Sequence, residues 1–175
     1  RGVESFQDQN FVQEYAAANN IPVFITQFDT KAFAEDYKVS TQVAARELRY
    51  NWFYELLGTE KFDFILTAHH ADDNLETFLI NLSRGTGLDG LTGIPKQNEK
   101  IVRPLLAFSQ EEMEQYARFN DIKWREDSSN ASDKYLRNKI RHHLVPILKD
   151  LNPNFLSSFY KTQTYLQEAQ DMVED

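Results

Sequence analysis

The sequence contains no cysteine, which excludes a disulfide framework, a thiolate metal site and a cysteine nucleophile within these 175 residues. Apolar runs near 18 residues are missing too, and no signal-peptide pattern is present, so the expectation is a cytoplasmic protein without a membrane partner. Glycine is scarce, and four of the six (Gly85, Gly87, Gly90 and Gly93) fall within nine residues, which concentrates backbone freedom in one place. Basic charge is short as well, with 19 Lys and Arg against 27 acids and a net charge of −8. Such a balance suits a polyanion partner badly, because phosphate contact needs cations. The shortage is uneven: residues 123–149 hold seven Lys or Arg against three acids, a balance of +4, and the remainder carries −12. One local stretch can therefore face a polyanion.

What is present reads as an α/β chain. Hydrophobic residues make up 41%, enough for one domain core with perhaps the start of another. Periodicity predicts a helix over 6–20, a strand over 21–28, a short helix over 31–37 and a long helix over 41–57 stopped by Gly58. A second strand is predicted over 62–66, then an amphipathic helix carrying Leu75, Phe78, Leu79 and Leu82. This alternation of helix and strand is the rhythm of a parallel sheet with flanking helices. Further on, Ser109 and Glu112 form a capping box for a helix reaching about Asn120. Residues 122–124 read as a short extended segment, and Tyr135 to His143 as one helix. Asn152-Pro153 is the predicted start of a terminal helix, with Asn as N-cap and Pro at N1.

The polar chemistry gathers at the ends of the amphipathic helix. His69, His70, Asp72 and Asp73 follow the second strand, where an open parallel sheet presents its ligand crevice. Asp73 and Glu76 are three apart, so both carboxylates lie on one side of the first turn. Such a pair can orient a basic substrate or hold Mg²⁺ shared with phosphates; Asp72 is the acid assigned to a metal. At the far end, Arg84, Gly85 and Gly87 offer a guanidinium and backbone N–H groups to phosphate. Arg137 and Arg141, four apart, share a helical face. For each, the plainer alternative is a helix-dipole acid or a solvated cation.

The run HHADDNLETFLINLSRGTGLDGLTGIP closely resembles the signature of the bacterial tRNA(Ile)-lysidine synthetases, members of the PP-loop (N-type ATP pyrophosphatase) superfamily. The segments ARELRY, RPLL, WREDSSN and YLRNKIRHHLVPIL are similar to the same family. The resemblance implies a Rossmann-like, adenine nucleotide alpha hydrolase-like fold in residues 1–150, with 151–175 a helix that packs on it or leads to a following domain. It implies ATP-dependent ligation of free L-lysine to C2 of the wobble cytidine of tRNA(Ile) with a CAU anticodon, through an adenylated intermediate, with ATP and Mg²⁺ as cofactors. Under it, Asp73, Glu76 and Arg49 position lysine and cytidine, and His69, Arg84, Gly85, Gly87, Arg137 and Arg141 contact nucleotide or tRNA. The family's SGGxDS phosphate loop does not occur here, so the chain is expected to be an internal piece lacking that loop and its strands, inactive alone and with an exposed sheet edge that a homodimer could cover. A sister PP-loop enzyme, a metal-dependent phosphohydrolase using His69, His70, Asp72 and Asp73, and a non-catalytic module remain the alternatives.

Overall fold

A computed structural model describes residues 3–127, 133 and 135–174. The chain divides into two compact units, Arg1–Phe62 and Asp63–Asp175.

In the first unit, helix α1 spans Val3–Ala18 and turns out through Asn20 at φ 55°, with Ile21 N–H donating to the Ala16 carbonyl at 2.8 Å. The predicted strand over 21–28 has no regular secondary structure and joins no sheet among the described residues. An apolar run becomes a strand only when a neighbouring backbone completes its ladder, and here Ile21, Val23 and Ile25 stay exposed. Ring contacts replace the ladder: Phe24 meets Phe62 edge-on at 6.1 Å, and Phe28 meets Trp52 at 6.2 Å. Helix α2, Thr30–Asp36, is capped by Asp29, whose carboxylate accepts from Ala32 N–H at 3.0 Å. Helix α3 spans Thr41–Thr59, with Ser40 as N-cap. It runs through Gly58, which weakens a helix without breaking it, and ends before Lys61 at φ 58°.

The second unit is built on a three-stranded sheet of order β1-β3-β2. Strand β1, Ile65–Leu66, pairs in parallel with β3, Ile101–Val102, while β2, Gln97–Asn98, pairs antiparallel with β3. The sheet is thus mixed rather than wholly parallel, because the polar residues 96–100 close a hairpin through Glu99 at φ 51°. Helix α4, Ala71–Arg84, follows β1 directly and ends at Gly85, whose φ of 74° a side chain would strain. Within the glycine-rich segment a single helical turn, α5 (Leu88–Leu91), forms. Helix α6, Gln110–Phe119, has the predicted capping box: Ser109 Oγ accepts from Glu112 N–H at 3.1 Å, and Glu112 Oε2 accepts from Ser109 N–H at 2.7 Å.

The helix predicted over 135–143 is broken into α7 (Leu136–Lys139), a π-helical turn (Ile140–Leu144) and α8 (Val145–Leu151). Pro146 has no N–H for the His142 carbonyl and its ring crowds that oxygen, which is a physical reason for the widened turn. The terminal helix α9, Phe155–Glu174, starts two residues after Pro153; Asn152 instead caps the turn ahead of it, accepting from Asn154 N–H at 3.0 Å. The core of this unit is Leu75, Ile140, Val145 and Phe159, flanked by Phe78, Leu79, Ile80, Phe155 and Leu156. Burying a side chain such as Leu75 stabilises by about 1.5–3 kcal/mol, so this packing is what sets α7 to α9 against α4. Among the described residues no helix is long and apolar enough to cross a membrane.

Candidate functional site

The site grows from the first two turns of α4. His70 is the N-cap: its ring Nδ1 accepts from Asp73 N–H at 3.4 Å, and its own N–H donates to Asp73 Oδ2 at 3.1 Å. Nδ1 as acceptor leaves the proton of a neutral ring on Nε2, which lies 3.3 Å from Asp73 Oδ2. His70 and Asp73 are thereby locked together by local sequence alone.

Tertiary packing then brings α7 and the π turn across this helix. Arg141 donates from Nε to Glu76 Oε1 at 2.6 Å and from Nη2 to Glu76 Oε2 at 3.0 Å, a two-pronged grip on a side chain only 1% exposed. Its Nη2 also lies 3.5 Å from Asp73 Oδ1. Arg137 stands further out, 4.0 Å from Asp73 Oδ1 and 3.9 Å from Glu76 Oε2, and donates to Thr77 Oγ1 at 3.0 Å. The hydrogen bonds to Glu76 hold the Arg141 guanidinium more firmly protonated than usual, against the opposing effect of burial. Asp73 keeps the more open carboxylate of the two, at 15% side-chain exposure.

Asp72, expected as a metal ligand, lies 3.8 Å from His70 Nδ1 through Oδ2 but is tied up by other partners. Its Oδ2 accepts from Gln110 N–H at 2.8 Å and its Oδ1 from Lys149 Nζ at 2.7 Å, so it fastens α4 to α6 and α8. Burial pushes this carboxyl up, but the Lys149 and Gln110 hydrogen bonds and the Lys149 charge outweigh it, and the group lies below its ordinary value. Among the described residues no three His, Asp or Glu side chains gather so as to hold a metal ion. Asp72 is engaged by Lys149 and Glu76 by Arg141, so Asp73 keeps the most open carboxylate of the three.

His69 is half-buried, its Nδ1 2.9 Å from Thr67 Oγ1 at the carboxyl end of β1. Arg84 is exposed at the C-terminus of α4, about 16 Å along the axis from Asp73 at 1.5 Å per residue. A cation there complements the helix dipole. Gly85 and Gly87 are exposed beside it. Arg49 is exposed on α3 of the first unit. Ser128, Ser129 and Asn130 of the WREDSSN segment fall outside the described residues.

Several residues of the site region escaped the sequence reading of the site. His70, grouped with His69 at the crevice by sequence, has its N-cap role in the placing of Asp73 three residues on, a signal of local spacing. Lys149 had no such signal, since it reaches Asp72 only across 77 positions of chain. Nor had the pair Asn74 and Gln163, buried and joined at 2.6 Å. Asn74 Oδ1 also accepts from Ile94 N–H at 2.8 Å, and Asn81 donates to the Gly90 carbonyl at 2.9 Å, so the glycine-rich segment is tied along α4. A cleft of about 530 Å³ adjoins the cluster, with His70, Arg141, Gln110, Met113 and Trp124 in its wall.

A family model described as a PP-loop domain matches residues 2–148. A tRNA(Ile)-lysidine synthase of Porphyromonas gingivalis is 43% identical over 168 residues, 95% of this chain and 37% of that protein. Proteins of the same name from Bacteroides thetaiotaomicron and Bacillus subtilis are 42% and 35% identical, covering 97% and 99% of this chain and 40% and 38% of theirs. The chain spans about two fifths of the length of these relatives. Among solved structures, the U34-tRNA thiolase NcsA of Methanococcus maripaludis superposes with a TM-score of 0.71 at 18% identity, covering 92% of this chain and 56% of that one, a likeness of fold alone.

Proposed function

The chain belongs to the PP-loop domain family, and from that premise we propose that the protein carrying it joins free L-lysine to C2 of the wobble cytidine of tRNA(Ile), using ATP to activate the base as an adenylate. The observation that carries this reading is the meeting of Asp73, Glu76 and Arg141 in a chain that is 43% identical to a lysidine synthase over 95% of its length. The reaction needs a carboxylate to receive the lysine ε-ammonium and take its proton before nitrogen attacks C2. Asp73 fits that role, because both oxygens of Glu76 are engaged by Arg141 whereas Asp73 retains exposure beside His70. Glu76 and Arg141 form the rigid pair that aims it. Arg137, 41% exposed and more loosely held, is the cation that reaches developing phosphate charge. The basic balance of residues 123–149 supplies a local surface for tRNA in an otherwise acidic chain.

The test is pyrophosphate exchange by the complete protein with and without a CAU-anticodon tRNA, then mass analysis of the wobble nucleoside after lysine is added. Exchange that depends on tRNA, with a lysine adduct on the cytidine, is the expected result. Exchange with no adduct would move the substrate to a sister family.

A further inference from the structure

The proposed chemistry uses only the rim of the cleft beside Arg141. Part of its wall is apolar: Met113 and Ala117, four apart on α6, line it with Trp124. Arg118 from the same helix lies over the indole ring at 5.9 Å without lining the cleft. The remaining wall is polar, with Gln110, His70, Arg125 and Arg141 beside Glu114, Glu126 and Asp127, so the acids outnumber the two arginines and the cleft is not an anion site. A volume of about 530 Å³ falls inside the range of roughly 300–1,000 Å³ common for small organic ligands. An aromatic wall with both donors and acceptors suits a neutral, planar heterocycle with a polar edge.

We propose that this cleft receives a nucleobase turned out of an RNA strand, stacked on Trp124 and read at its edge by Gln110, Glu114 and Arg141. The assignment rests on the reading that the protein modifies a tRNA base, and it names the pocket that presents that base to Asp73. RNA is favoured over a free nucleotide by the surface outside the cleft. Tyr116, next to the cleft-lining Ala117 on α6, is 64% exposed, and Lys123 is exposed beside Trp124 in sequence. These are stacking and phosphate contacts that neighbouring nucleotides of a strand would use and a lone nucleotide would not.

The experiment measures binding of the complete protein to an anticodon stem-loop RNA with cytidine at the wobble position, and to the same RNA made abasic there. For the unaltered protein the abasic RNA should bind about tenfold more weakly, the size expected for one lost stacked base. Trp124→Ala should bring the cytidine RNA down to the abasic level, Trp124→Phe should restore most of the difference, and the KM for ATP should stay put in both. Equal binding of the two RNAs by the unaltered protein overturns the proposal, and that comparison needs no variant to fold. A tenfold rise in the KM for ATP in Trp124→Ala, with RNA affinity unchanged, overturns it in favour of the nucleotide. Base-dependent binding through Trp124 without any lysine adduct would sink the ligase reading and leave the base pocket standing.

Discussion

Glu76 illustrates how little freedom the site residues have. At 1% exposure its carboxylate is tolerable only because Arg141 supplies two hydrogen bonds, and removing one partner of a buried ion pair costs about 3–5 kcal/mol. Arg141→Met should therefore lower the unfolding free energy by roughly 3 kcal/mol in denaturant titration, and Arg141→Lys by less, since it keeps the charge but loses the fork. Asp73→Asn should behave differently: a stability cost of about 1 kcal/mol for the weakened cap, with lysine transfer down about 100-fold or more if Asp73 takes the proton. Near-normal transfer would remove Asp73 from the chemistry. Asp72 gives a pH signature instead. Its folded carboxyl lies below the ordinary 3.8, so its contribution is complete above that value and is lost as pH falls through the lower, folded one. Lys149→Met should shrink this acid-side loss of stability, measured by denaturant midpoints at neutral pH and near pH 3, because the group that depresses Asp72 is gone.

Among the elements, the glycine-rich segment after α4 carries the clearest contrast. Gly93 sits at φ 79°, and a Cβ there would approach Gln163 Nε2 at 2.2 Å and Asn74 Oδ1 at 2.3 Å, where the two buried amides are joined. Gly87 has ordinary extended backbone and no atom within 4 Å of a built Cβ. Gly93→Ala should thus cost at least about 2 kcal/mol by thermal or denaturant unfolding, through strain and a broken network. Gly87→Ala should stay within about 0.5 kcal/mol. If Gly87→Ala nevertheless weakens tRNA or ATP binding, the glycine is there for a ligand; if it does not, the segment is structural, held by Asn81 and Asn74.

For the whole molecule, the two units differ in what they bury. Among the described residues, the buried apolar side chains of the first unit are Ala16 and Ala44, whereas the second buries Leu75, Ile101, Leu106, Ile140, Val145 and Phe159. Local opening free energy follows buried apolar contact, so backbone amides of α1 should exchange with deuterium faster than those of α4. Equal protection of the two helices would contradict that ranking. The exposed, unladdered run Ile21, Val23 and Ile25 belongs to the same weakly buried unit, and the amides of Val23 and Ile25 should exchange faster than those of α4.

Several features followed from sequence alone. The helical spans of α2, α4 and α6 follow from periodicity, caps and glycine, which are local forces acting within a few residues. So does the lock between His70 and Asp73, and so does the family, written in the run from His69 to Pro95. Other features waited for tertiary structure. Whether residues 21–28 make a strand depends on a partner backbone, and whether 135–151 make one helix depends on Pro146 and the packing of Ile140 and Val145 onto Leu75. Two neighbouring aspartates, alike in sequence, were separated by what lay across from them: Asp72 met Lys149 and Gln110 and became a fastening, while Asp73 met Arg141 and became the open carboxylate of the site. Adjacent helical residues point about 100° apart, and only the packing of distant helices decides which of those directions holds a partner and which holds a cleft.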